Sequence, residues 1–192
     1  MLFRAQSVCF AIFTILVMTS LTVTLAPRQA HASGESCRLD LNVKFIESAP
    51  RDRFVISNNS TANVEILSAS FDLSQSQGNL IFDTEDGGIG VEVFQKFKSE
   101  TDAVKLILTP EINDGDNQLD IAFESFARNE VYQFSIDVDD QNVQSDLGQI
   151  RVTSGELKGA KVTFLIRQND VRRPVSALFD NNNNSRVHQN CA

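Results

Sequence analysis

The stretch LDLNVKF, Leu39 to Phe45, alternates without a break: Leu39, Leu41, Val43 and Phe45 fall on one side, Asp40, Asn42 and Lys44 on the other. A period of two marks a half-buried β-strand, because successive side chains of an extended chain point to opposite faces. Similar apolar, β-branched and aromatic runs recur down the chain. RFVIS, NVEILSASFDL, NLIFD, GVEVFQKF, AVKLILT, QLDIAFESF, EVYQFSIDV, QIRVT and AKVTFLI follow, separated by segments rich in Asn, Asp, Gly and Ser. None keeps helical spacing over a useful length. About nine or ten short strands, roughly 8–12 residues apart, predict an all-β antiparallel β-sandwich of the immunoglobulin-like kind, with a closed barrel as the alternative.

Within NVEILSASFDL the alternation changes parity. Val64 and Ile66 share one side, whereas Leu67, Ala69, Phe71 and Leu73 share the next. A bulge or bend near Ile66 reconciles the two halves. Most of the 14 Phe residues stand at alternating strand positions, as core side chains do.

Before this β-rich region stand Arg4, an apolar run from Val8 to Ala26, and small residues at Ala30 and Ala32. The pattern predicts a signal-peptide helix over residues 1–32, cut after Ala32; an uncleaved anchor is the alternative. Residues 33–38 form a lead-in, 39–180 the sandwich, and 181–192 an Asn-rich tail expected to be loosely ordered. Cleavage leaves 160 of the 192 residues, enough for one core. It removes Arg4 and Arg28 and no acid, so 17 basic residues become 15 against 25 acidic, and the net charge moves from −8 to −10. Such a balance disfavours phosphate backbones and anionic membranes and favours cations.

Cys9 leaves with the signal peptide. Cys37 and Cys191 then sit just inside the ends of the mature chain, where an oxidising compartment favours a disulfide. Closing so long a loop stabilises by up to roughly 5 kcal/mol in the chain-entropy treatment.

The acidic residues gather. In VYQFSIDVDD, Tyr132, Phe134, Ile136 and Val138 alternate toward the core, so Asp137 and Asp139 share the opposite face about 7 Å apart, with Asp140 next. EINDGDNQLD supplies Glu111, Asp114, Asp116 and Asp120 around Gly115, and FDTEDGG supplies Asp83, Glu85 and Asp86. Calcium takes six to eight oxygen ligands, and acidic loops at one end of a sandwich can provide them. Asp114, Asp116, Asp137, Asp139 and Asp140 are therefore the candidate calcium ligands, set against solvated strand ends. The loop is not an EF-hand, because DGDNQLDIAFES lacks Gly at its sixth position and Glu at its twelfth.

Catalysis is poorly supplied. His31 belongs to the signal peptide, leaving His188 as the one histidine for a nucleophile's base. Paired carboxylates suit glycoside hydrolysis, but the chain has no Trp and a single Tyr for stacking on sugars. Asn58 and Asn59 both begin glycosylation sequons.

The segments RFVISNNSTANVEILSASFDLS, LIFDTEDGGIGVEVFQKF, INDGDNQLDIAF, FSIDVDD and SGELKGAKVTF together resemble small secreted bacterial proteins named for their similarity to the core of the sponge aggregation factor. The resemblance covers roughly residues 39–165. It implies an extracellular β-sandwich and a role in calcium-dependent adhesion or aggregation, and its motif carries onto Asp114, Asp116, Asp137, Asp139 and Asp140. No catalytic role comes with it. The expectation is a secreted, periplasmic or cell-surface module without catalytic residues that binds a protein or a surface glycan, and neither nucleic acid nor, after cleavage, membrane. An accessory subunit of a surface assembly is the second reading and a carboxylate-dependent hydrolase the third.

Overall fold

LDLNVKF becomes strand β1 (Arg38–Ile46), and its four apolar side chains are all buried. The computed structural model describes residues 37–142, 149–153 and 155–190. The signal-peptide segment, most of the lead-in and Cys191 lie outside these residues.

One sheet orders β12 (Asn184–Asn190), β1, β2 (Arg53–Asn58), β8 (Val131–Ser135) and β5 (Lys98–Ser99). The other orders β11 (Val171–Leu178), β10 (Lys161–Gln168), β3 (Val64–Asp72), β7 (Gln118–Ser125) and β6 (Lys105–Leu106). Neighbouring strands are antiparallel throughout. The connectivity follows the immunoglobulin-like pattern: β1, β2 and β8 take the places of strands A, B and E, and β3, β10 and β11 those of C, F and G. β7 is added beside β3, and β12 beside β1.

Aromatic side chains join the two layers. Phe54 of β2 stacks on Phe134 of β8 at 5.0 Å between ring centroids and meets Phe71 of β3 edge-on at 5.1 Å. Tyr132 of β8 meets Phe123 of β7 edge-on at 5.2 Å. Offset and edge-to-face rings add to the area they bury, so the alternating Phe positions form the inter-sheet core.

The parity change in β3 is a bulge. Leu165 of β10 faces Ser68 and Ile166 faces Ile66, so Leu67 is the extra residue. Val64 and Ile66 before it, and Ala69 and Phe71 after it, are all buried. Leu67 itself is only half-buried, which corrects its expected place on the core side.

Three expected strands are reduced or lost. Residues 90–97 (GVEVFQKF) and 149–153 (QIRVT) form no strand, and AVKLILT contributes only Lys105–Leu106. Val104 of that run is buried, but Ile107 and Leu108 are 57% and 77% exposed, so its apolar character reported burial only in its first half.

The tail differs in the opposite sense. Rather than lying loose, Asn184–Asn190 forms β12, reached through a tight turn. The Asp180 carboxylate accepts the amides of Asn182 at 2.8 Å and Asn184 at 3.0 Å, and Asn183 takes a positive φ of 58°, a conformation Asn tolerates. Arg186 then donates twice to the buried Asp40 of β1, at 2.8 and 2.6 Å. Burial of Ser185 and Val187 completes the docking. β11 contains Pro174 and lies at a sheet edge, where the missing amide is tolerated.

Of the two sequons, Asn58 is fully buried and donates to the carbonyl of Val64 at 3.0 Å. Only Asn59 is open to modification.

Candidate metal centre

EVYQFSIDV, expected as one strand, breaks at Ile136. The amide of Ile136 donates to the carbonyl of Asp52 at 3.0 Å, outside the β8 ladder. The chain resumes as β9 (Asp137–Asp139), which pairs antiparallel with β4 (Ile81–Asp83) in a small separate sheet.

The register of this pair builds the site. Asp83 lies directly opposite Asp137, Phe82 opposite Val138, and Ile81 opposite Asp139. Phe82 and Val138 enter the core, so alternation places Asp83, Asp137 and Asp139 together on the other face. Ligand atoms of the three carboxylates all lie within 4.8 Å of one another. Like charges opposite each other in a sheet destabilise it.

Solvent does not dissipate this repulsion. Relative exposure is 3% for Asp83, 0% for Asp137 and 1% for Asp139. The reading of a solvated strand end is therefore overturned. Both carboxylate oxygens of Asp137, and Oδ1 of Asp83 and of Asp139, are buried without a hydrogen-bond partner among the described residues. None of the three forms an ion pair among those residues.

The titration behaviour follows from burial first and charge second. Burial, then the charges of Asp139, Asp52 and Asp83, pushes Asp137 up to about 8. Asp83 is raised to about 7 by burial, then by Asp114 and Asp139. Burial also raises Asp139, to about 6, against a stabilising hydrogen bond from the Val91 amide.

Asp52 is a fourth buried carboxylate, raised to about 7 by burial and then opposed by the amides of Ser48 and Val138 and reinforced by neighbouring acids. Its oxygens accept from Ser48 at 2.7 Å and Val138 at 3.3 Å, so it braces β9.

The remaining expected ligands divide. Asp114 borders the trio, its charge helping to raise Asp83, and its oxygens accept the amides of Thr84 at 2.8 Å and Ile89 at 2.5 Å. Those donors hold its carboxyl below the usual range despite a burial penalty. Asp116 turns back on its own loop, accepting from the Asn113 amide at 2.9 Å and side chain at 3.1 Å. The Asp140 carboxylate accepts the Asn142 amide at 2.8 Å. Neither Asp116 nor Asp140 is in the close trio.

The NDGD loop folds against β4, with the amides of Gly115 and Phe82 exchanging hydrogen bonds with Phe82 and Asp116 carbonyls at 2.9 and 2.8 Å. Asp52 and Asp83 were the residues missed as ligands or neighbours. Asp83 carried a signal, since it ends NLIFD and is followed within seven residues by Gly87, Gly88 and Gly90. Asp52 carried none.

Gly90 shows why glycine is needed. A side chain there would collide with the carboxylates of Asp83 and Asp139, so the backbone itself closes over the trio.

The donor set is all oxygen, with no sulfur or imidazole, and suits a hard cation. Calcium accepts carboxylates in irregular geometry, whereas magnesium demands a near-ideal octahedron. Such an ion would supply the positive charge that the three acids lack. Comparison with family models, curated proteins and solved structures returns no match.

Proposed function

We propose that the protein is an exported, non-enzymatic binding or adhesion module whose loop end is held by calcium. The buried trio Asp83, Asp137 and Asp139, with unpartnered oxygens and no ion pair, carries this reading. Carboxylates held at no more than 3% exposure favour a structural ion over a hydrolytic pair, which must reach its substrate. The resemblance to aggregation-factor core proteins gives the adhesive sense.

Calcium titration of the purified protein by calorimetry, with a melting scan, tests the metal. One bound ion and a rise in melting temperature are expected; no binding at millimolar calcium would sink the reading. Clumping of cells or coated beads by the protein, in calcium but not in chelator, tests adhesion.

One observation favours an accessory role. β6 covers only one end of β7, so Gln118–Ile121 has a strand neighbour on its β3 side alone among the described residues. An uncovered edge of this kind accepts a partner strand. A stable envelope complex without clumping would favour this second reading.

We also propose the disulfide Cys37–Cys191. Its support is the β1–β12 register, which sets Arg38 opposite Asn190, one residue from each cysteine. The intact mass of the exported protein checks it: cleavage after Ala32 together with loss of two hydrogens is expected. Among the described residues no helix is long and apolar enough to cross a membrane.

A further inference from the structure

We infer that the ion which occupies the Asp83, Asp137 and Asp139 trio also fastens a strap, residues 84–97, across the end of the sandwich. This inference rests on the calcium reading above.

The strap has no strand pairing of its own. At its far end Gln95 is tied to the strand backbone, donating to the Asp83 carbonyl at 3.3 Å and accepting the Asp137 amide at 3.1 Å. Its middle is held differently. The Val91 amide donates to Asp139 Oδ2 at 2.7 Å, and the Ile89 amide to Asp114 Oδ2. Between them, Gly90 lies where a side chain would collide with the carboxylates of Asp83 and Asp139.

The middle of the strap is thus seated on the side chains that must converge to hold a cation. Its position depends on their position. Asp139 uses Oδ2 for the Val91 amide and leaves Oδ1 without a partner, so one carboxylate can serve strap and ion together. Asp137, on the same strand and directly opposite Asp83, is fully buried with both oxygens unpartnered and faces the same ion.

With the ion bound, attraction draws the three acids together and presents Asp139 to Val91. With the ion removed, carboxylates whose oxygens lie within 4.8 Å of one another lose the charge that draws them together, and they move apart. The Val91 contact and the seat for Gly90 are lost together. The core strands need not change, because they are joined by backbone ladders and aromatic packing, which the strap enters at its far end, where Phe97 stacks on Phe134 at 5.2 Å.

Hydrogen exchange of the exported protein at pH 8.5, in calcium and in chelator, tests this. Exchange in peptides covering 84–97 is expected to slow at least tenfold on adding calcium, while Lys161–Gln168 of β10 stays protected in both. In Asp137→Asn, calcium is expected to leave exchange over 84–97 unchanged. Calcium binding seen by calorimetry without a change over 84–97 overturns the strap alone. Absence of binding overturns the strap and the calcium reading together, and a calcium effect that persists in Asp137→Asn overturns the assignment of the ion to this trio.

Discussion

Asp137→Asn is expected to abolish the calcium-induced rise in melting temperature and, in chelator at alkaline pH, to make the protein more stable than the wild type. Both effects come from one carboxylate that is fully buried with neither oxygen partnered. Asn keeps its shape and removes its charge. In calcium the wild type gains the binding free energy of the folded state, about 2.7 kcal/mol when the ion is at 100 times its Kd. For a domain of this length that corresponds to roughly 5–10 °C. Asp137→Asn loses a charged ligand and is expected to bind at least about 100-fold more weakly, leaving the melting temperature flat across the titration.

In chelator the order reverses, because the wild type then holds facing carboxylates with no cation between them. Asp116→Asn is the matched control. Its carboxylate serves its own loop, so binding within about twofold of wild type is expected. A calcium shift retained in Asp137→Asn and lost in Asp116→Asn would reverse the assignment.

The stability of the calcium-free protein is expected to fall as pH rises from about 4 to about 8. Asp52 and Asp83 are raised to about 7, Asp137 to about 8 and Asp139 to about 6, all by burial first. Each folded-state value lies above the unfolded carboxylate's, so the folded protein holds protons that the unfolded chain has released. Their stabilisation is complete below the unfolded value and is lost as pH climbs through the folded ones.

These acids share protons and titrate as one unit. Because they share protons, the expected loss across the window is smaller than the sum of the four separate shifts, and its direction is a steady fall. Saturating calcium displaces the protons and should flatten the curve above about pH 6. Urea unfolding at several pH values, with chelator and with calcium, measures both curves. Chelator-treated protein that grows more stable between pH 5 and 8 would contradict a buried, uncompensated cluster.

Much of the architecture was legible because it depends on local periodicity. Leu39 to Phe45 alternates without a break, and alternation reports which face meets the opposite sheet. Even the bulge at Leu67 was written as a change of parity. Where strands failed, the missing information was tertiary. GVEVFQKF has strand-forming residues, but Gly90 must lie against the Asp83 and Asp139 carboxylates, and the chain there follows the site. The tail reads as polar and loose, yet Arg186 finds Asp40 across 146 residues of chain.

The site divides along the same line. Spacing alone placed Asp137 and Asp139 on one face and grouped Asp114 with Asp116 in an acidic loop, without showing that the loop lies beside them. It could not show that Asp83 is their cross-strand partner, because that depends on the β4–β9 register. Nor could it show that Asp116 serves its own turn, or that Asp52 braces β9 from the start of β2. Local sequence determines which way each side chain points from its own backbone. Only the folded chain decides what stands opposite, and whether water, a basic side chain or an ion meets the charge.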